Sequence, residues 1–414
     1  MNTAAHSSVN RPAFAANVLM KYLADMQAQV AGVREGQDIE FIHKMRVASR
    51  RLRNGLDLFE DVLPRKKFKR WLKQIKRVTK ALGAARDLDV QIAFVTEFLA
   101  DLRAHRRVAQ LPGIERLILR LTQQRQGVQP HVVATMDDLE DSGVIRDMRQ
   151  NLLATAAVAA MNSHEPAATV VSRARHDVVL RLEQMLAYEP FIRSPEHVDE
   201  LHQMRIAAKH LRYSLEAYGP AFDGGLKEPI RLVRQVQSQL GDIHDCDVWI
   251  EQLPQFIEQE RERFEAFLGH QRGLKRVEAG IAALIADRME QRAKLYRAFL
   301  KFYDEQAKAG SWHGLRQSLA GEPGEAVKPA ELCEPCEPCE PCEPCDSGEA
   351  VEPRQGAEPT GDAITITVRH DEAVNAIKPP GELMAAQRLR KLNETLHAQD
   401  IQHSTPSDKA ADEG

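Results

Sequence analysis

Two blocks of this sequence recur in the same order and at nearly the same separation. Residues 41–59 read FIHKMRVASRRLRNGLDLF and residues 200–218 read ELHQMRIAAKHLRYSLEAY. The offset of 159 aligns His43 with His202, Met45 with Met204, Arg46 with Arg205, Leu52 with Leu211 and Arg53 with Arg212. Residues 82–90 (LGAARDLDV) return as 240–248 (LGDIHDCDV) at an offset of 158. Order kept at a fixed period marks a repeated structural unit. Two alike halves are therefore expected, 12–160 and 167–310, joined near 161–168. By analogy with symmetric oligomers, they should pack through equivalent surfaces.

Between Pro12 and Gly310, Gly and Pro are sparse and apolar residues recur every three to four positions. That is the spacing of one helix face. The pattern predicts helices over 13–34, 38–62, 65–82, 87–107, 167–187, 196–218, 226–240, 245–268 and 274–307. Alternating strand-like runs are absent from this body, and aromatic residues make up only 5% of the chain, which disfavours an all-β body. The expected fold class is all-α: two pseudo-symmetric antiparallel helical bundles with short connections. Asp87, Asp89, Asp245 and Asp247 each follow a glycine. They are expected to open helical segments, one of each pair as an N-cap and the other pairing with and orienting a stripe arginine.

The net charge of −4 is an average of two unlike parts. Residues 1–320 carry 48 basic and 40 acidic side chains, and residues 321–414 carry 8 and 20. The body is basic and the tail acidic, so partners must be argued for each separately. Residues 333–345 of the tail are a strict Cys-Glu-Pro repeat. Proline at every third position forbids helix and strand and favours an extended, solvated chain. The tail from 320 to 414 is expected to be mostly disordered, with a short strand at 363–368 and a helix at 380–399 as local exceptions. Cys333, Cys336, Cys339, Cys342 and Cys345 form overlapping C-x2-C units. These are read as a triplet expansion or as a weak thiolate metal site. The body holds only Cys246. This excludes a disulfide framework there and fits a reducing cytoplasm. No apolar run reaches the length of a membrane span, and Met1–Arg11 lacks the pattern of a secretory leader.

On a wheel at about 100° per residue, Phe41, Met45, Ala48, Leu52, Leu56 and Phe59 share one side of 41–59. His43, Arg46, Arg50 and Arg53 share the opposite side, with no acid among them. The second block keeps His202, Arg205, Lys209 and Arg212 at equivalent spacings. Like charges three and four apart destabilise an isolated helix by a few tenths of a kcal/mol per pair. A helix that keeps them needs partners for them. The next segment, 65–82, places Lys66, Lys69, Arg70, Lys73, Lys76, Arg77 and Lys80 over about 120° of one helix, roughly 21 Å long. Phe68, Trp71, Leu72, Ile75, Val78 and Leu82 lie opposite. Its counterpart keeps Lys227, Arg231 and Arg234. Four helices thus carry a cationic long face. A rigid basic surface of this extent suits a linear polyanion, bound through counterion release and weakened steeply by salt. Arginine supplies bidentate forks for phosphate oxygens and lysine supplies mobile point charges. The aromatics of both segments fall on the apolar side, which favours phosphate without bases over nucleic acid.

The repeated H-x-M-R-[VI]-A-x-[RK]-x-L-R pattern, followed by L-G-x-x-[RH]-D-x-D-V, resembles the CHAD family, the conserved-histidine α-helical domain. The resemblance covers about residues 12–310. It implies a helical domain of two pseudo-symmetric bundles with a basic central channel that binds inorganic polyphosphate, and association with polyphosphate granules in bacteria. The residues it carries over are His43, Arg46, Arg50, Arg51 and Arg53, and His202, Arg205, Lys209, His210 and Arg212. The strict repeat breaks at Arg51/His210. Many family members are fused to a triphosphate-hydrolysing domain with an E-x-E-x-K start, and this chain has no such signature.

The stripe histidines are read as phosphate donors whose charge raises affinity below about pH 6.5; a structural hydrogen bond is the alternative, and metal ligation lacks a partner on their face. His176-Asp177 and His244-Asp245 match the dipeptide of helical phosphohydrolases. However, His244 aligns with Arg86, which cannot serve as such a metal ligand. The expectation is a cytoplasmic binding protein rather than an enzyme, with no cofactor and no metal site in the body. Nucleic acid is the competing polyanion.

Overall fold

A computed structural model describes residues 10–161, 168–222 and 225–320. The tail expectations, with its Cys-Glu-Pro repeat, and the six-residue join at 162–167 lie outside the described residues. Helices account for nearly all that is described, and there is no strand among the described residues.

Local rules set the helix ends. Helix α1 (Arg11–Gln27) is capped by Asn10, whose side chain accepts from the Ala13 N–H at 3.1 Å, and carries Pro12 in its first turn. Helix α2 (Val30–Glu35) stops at Gly36, which takes φ 66°. Helix α3 (Ile39–Leu58) is capped by Asp38, which accepts from the Glu40 N–H at 2.8 Å. There follow α4 (Arg65–Ala104), α5 (Leu111–Asp141), α6 (Val144–Met161), α7 (Ala168–Leu186), α8 (Val198–Tyr218), α9 (Lys227–Leu268), α10 (Leu274–Lys308) and α11 (Ser311–Ala320). Short 3-10 turns link several of them.

Expectation and structure differ at three places. The helix expected over 13–34 is two, α1 ending at Gln27 and α2 beginning at Val30. The breaks placed between 82 and 87 and between 240 and 245 do not occur: α4 runs unbroken for 40 residues and α9 for 42. A helix-interior glycine costs about 1 kcal/mol. Burial of Leu82, Ala85 and Leu88 around one break point, and of Leu240, Ile243 and Cys246 around the other, offsets it. Asp87, Asp89, Asp245 and Asp247 are therefore mid-helix and cap nothing.

The helices pack as successive antiparallel neighbours: α1 on α3 and α6, α3 on α4, α4 on α5, α7 on α8, α8 on α9, and α9 on α10. The contacts that join the sequence halves include α3 against α8 and α5 against α10. One continuous core takes Leu19, Met45, Leu52, Phe59 and Trp71 from the first half and Met204, Leu211, Tyr218, Val236 and Phe299 from the second. Tyr218 stacks on Phe14 at 6.1 Å and meets Phe59 edge-on at 5.6 Å. Its hydroxyl donates to Asp177 at 2.7 Å. The apolar sides read from the wheel are the buried sides: Met45, Leu52, Leu56, Trp71, Ile75 and Val78 are each fully enclosed.

The α5–α10 crossing is backbone against backbone. A Cβ on Gly113 would fall 2.2 Å from the Val277 carbonyl oxygen, and one on Gly280 would fall 2.2 Å from that of Gln110. No side-chain movement relieves either overlap. Gly113→Ala and Gly280→Ala should each destabilise the protein by about 2–3 kcal/mol or more through overpacking. Gly127→Ala, whose Cβ would meet nothing within 4 Å in the same α5, should instead stabilise by about 0.5–1 kcal/mol. Urea unfolding of the three variants checks both signs.

Candidate functional site

The four cation-bearing helices are consecutive neighbours in the order α4–α3–α8–α9. The two helices with the repeated blocks lie in the middle and press on each other. At their far ends α4 and α9 also meet: Phe94 and Trp249 stand 5.5 Å apart and Gln91 donates to Gln252 at 3.5 Å. Basic residues of all four helices are thereby drawn into one region.

On α3, His43, Arg46, Arg50, Arg51 and Arg53 are half-buried. On α8, His202, Arg205, His210 and Arg212 are half-buried too. Lys209 departs from the stripe expected of it: it is buried, at 3% exposure, and does not stand on the open face. On the flanks, Lys66, Lys69, Arg70, Lys73, Lys76, Arg77 and Lys80 of α4 are exposed, as are Lys227, Arg231 and Arg234 of α9.

These flanking rows do not all turn the same way. Arg77 pairs with Asp138 of α5 at 2.6 Å, and Arg70 donates to the Ser142 carbonyl at 2.5 Å. Both lean toward the α5–α6 corner. Lys76 acts on Asp57 of α3 and so lies on the stripe side. Arg231 pairs with Glu228 on its own helix at 2.6 Å.

The two aspartates of each L-G-x-x-[RH]-D-x-D-V block divide the work. Asp89 locks Arg125 of α5 at 2.6 Å, and Asp247 locks Arg292 of α10. These pairs hold each long hairpin together. Asp87 accepts from Arg46 at 3.3 Å. Asp245 feels the positive charge of Arg205 and the negative charge of Asp87 from the opposite flank. Orientation of stripe arginines is thus the part of the expected role that the geometry contains, and capping is the part it lacks.

The seam between α3 and α8 is densely paired. Arg50 and Arg212 both lie over the Tyr213 ring, at 5.9 and 4.6 Å. His210 Nδ1 is 3.0 Å from the Asn54 Oδ1. Glu216 of α8 takes Arg51, Arg212 and Arg234 together. Sequence reasoning missed Glu216. It lies one turn beyond Arg212 on the same stripe, so the second stripe contains an acid. The i,i+4 spacing from Arg212 was the signal that could have found it.

The histidines of the two blocks differ. His43 is held below the ordinary imidazole range, first by desolvation and then by the charge of Arg86, with Arg46 and Lys44 adding to it. Its protonation, expected to matter near pH 6.5, is displaced to lower pH. His202 has a close partner on another helix: its Nδ1 lies 3.0 Å from Nδ1 of His244, so one donates and the other accepts. His244 stands where the first block has Arg86. Among the described residues no group of three or more His, Cys, Asp or Glu side chains is arranged to hold a metal ion. No helix of the described residues is long and apolar enough to cross a membrane.

The fold and this region define an all-α domain with cationic rows on paired central helices. The family model described as the CHAD domain matches residues 17–254, more than half of the chain, and the chain belongs to the CHAD family. Two solved structures are similar. The CHAD domain from the plant Ricinus communis matches with a TM-score of 0.48 and 20% identity, over 76% of this chain and 93% of its own. PptA from Streptomyces chartreusis matches with a TM-score of 0.50 and 15% identity, over 71% of this chain and 99% of its own. The latter likeness is one of fold. No curated protein matches.

Asp245 supplies a local test of this electrostatic arrangement. Protein mass around it raises its carboxyl to about 6, while Arg205 pulls the other way. Carbon-detected NMR should place its titration midpoint near pH 6. Arg205→Gln should move that midpoint upward. Because the folded carboxyl is raised above the unfolded one, ionisation between about pH 4 and pH 6 costs stability as pH rises. Asp245→Asn should remove that part of the pH dependence of Tm.

Proposed function

We propose that this chain binds inorganic polyphosphate along the basic region built by α4, α3, α8 and α9, and that it acts by binding rather than by catalysis. Association with polyphosphate granules in the cytoplasm goes with the same reading. One observation carries it: the two repeated arginine rows lie on helices that pack against each other, flanked by two more cationic helices. Guanidiniums that repel one another are gathered where the fold could have dispersed them. A dense linear polyanion relieves that repulsion along its whole length. Membership of the CHAD family supports the reading, since the resemblance in sequence implied the same ligand.

The aromatic residues favour phosphate over bases. Phe68, Trp71 and Tyr213 are buried, and Tyr213 is covered by two arginines. They do not offer the exposed platforms on which nucleic-acid bases stack. Support for binding rather than catalysis comes from the two His-Asp dipeptides. Asp177 is buried and engaged by Tyr218 and by Arg173 at 3.0 Å. His244 is engaged by His202. Each has a structural occupation in place of a shared reactive centre.

The test is a titration of the full chain with long-chain polyphosphate, tripolyphosphate and duplex DNA at low and high salt, matched by phosphate concentration. Long-chain polyphosphate should bind tightest, with a steep salt dependence. DNA binding as tight or tighter would move the protein to nucleic acid. Replacing Arg46, Arg50 and Arg53 together by Gln should weaken polyphosphate binding on the order of 100-fold at low salt. The log–log salt slope should flatten by about 2, from three lost phosphate contacts. Circular dichroism on the same sample separates this from unfolding. Unchanged affinity in a folded triple variant would remove the central stripe from the site.

A further inference from the structure

Glu216 is the carboxylate on which the seam between the two repeated helices closes. Its Oε1 accepts from Arg212 Nη1 at 2.9 Å and from Arg234 Nη2 at 3.4 Å. Its Oε2 accepts from Arg51 Nη2 at 3.2 Å and Nε at 3.3 Å. The three arginines come from α8, α9 and α3, so one acid gathers cations from both sequence halves. Its side chain is 11% exposed, whereas that of Arg234 is 61% exposed and that of Arg51 36%. Arg51 and Arg234 therefore reach solvent, while Arg212, at 15% exposure, sits with the acid beneath them.

Charge balance makes this arrangement unusual for a purely structural ion pair. Three positive charges face one negative charge. Arg212 is also held without it, by Gln237 at 2.7 Å and by the Tyr213 ring. The position matching Glu216 in the first half is Asp57, which feels Lys76 and Arg53. Arg51 has His210 as its counterpart, which meets Asn54. At this seam one carboxylate holds three arginines. Carboxylate and phosphate oxygens take the guanidinium fork in the same way.

We propose that Glu216 is a resident anion of the polyphosphate-binding face. It occupies Arg51, Arg212 and Arg234 in the free protein and yields them to phosphate oxygens when the polyanion binds. This deepens the proposed function and rests on it. Glu216 sets a threshold: a single phosphate gains little by displacing a built-in carboxylate, whereas a long chain recovers the cost through neighbouring contacts. The residue thereby tunes selectivity for chain length.

The test uses the full chain with Glu216→Gln, which keeps the shape and removes the charge. Long-chain polyphosphate should bind about 3- to 10-fold tighter at low salt, with the salt slope steeper by about 0.7 for the freed cation. Tripolyphosphate should gain by a larger factor than the long chain. Glu216→Asp should keep the wild-type slope. Weaker or unchanged binding in folded Glu216→Gln overturns the proposal and leaves Glu216 as a residue that merely aims the arginines. A second measurement needs no variant. The Glu216 carboxyl carbon of the wild-type protein should shift in NMR when long-chain polyphosphate is added, and an unmoved signal overturns the proposal. If the wild-type chain does not bind polyphosphate at all, the functional reading itself fails, before any variant is compared.

Discussion

The cost of crowding like charges organises this molecule. Helices α3 and α8 each carry cations three and four residues apart, a spacing that disfavours an isolated helix. Each is held by the opposite side of the same helix, where Met45, Leu52 and Leu56, and Met204, Leu211 and Leu215, are fully buried. Burial of one such side chain contributes about 1.5–3 kcal/mol. This exceeds a few tenths of a kcal/mol of repulsion per charged pair many times over. The core thus fixes the cations in place, and a small set of carboxylates limits the remaining repulsion. Asp87 meets Arg46 from α4, and Glu216 meets three arginines at the seam. Asp138 meets Arg77 on the outer flank.

Much of this was legible in the sequence because its two signals are local. A period of three to four apolar residues states which side of a helix is buried, and the buried residues of α3 and α4 are the ones on that side. The repeat states which helices correspond. Helix α3 meets its counterpart α8. What was not legible is set by residues distant in sequence. The groups that receive Arg70 and Arg77, the Ser142 carbonyl and Asp138, belong to the α5–α6 corner, more than sixty positions away. The partner of His202 is on α9, 42 residues on. Local propensity also misled. A glycine followed by aspartates looks like a helix start. Here the burial of Leu82, Ala85 and Leu88 carries the helix through it, and the aspartates became cross-links between helices instead of caps.

The two similar sequence blocks differ in their charge chemistry. In the first, desolvation and the charges of Arg86 and Arg46 hold His43 below the ordinary imidazole range, and the arginines around it do not titrate. In the second, His244 replaces Arg86 and shares a hydrogen bond with His202. Asp242 and Asp245 stand close by, both raised by burial. Burial raises Asp57 and Asp89 of the first half in the same direction. In both halves, charge moves toward positive as carboxylates take up protons on acidification.

These charges bear on how a linear anion would lie across the seam. Under the proposed function, a polyphosphate chain spanning α3 and α8 would meet guanidiniums on both sides, each already partly neutralised by an acid, Arg46 by Asp87 and Arg212 by Glu216. The α4 flank contributes only part of its row to the stripe side, since Arg70 and Arg77 lean toward the α5–α6 corner while Lys76 acts on Asp57. On the α8–α9 side, Lys209 is buried and Glu216 holds Arg212 and Arg234 together with Arg51 of α3. Protonation of Asp245 removes a negative charge beside Arg205. Glu216, one acid on α8, couples the charge of α3 to that of α8 and α9.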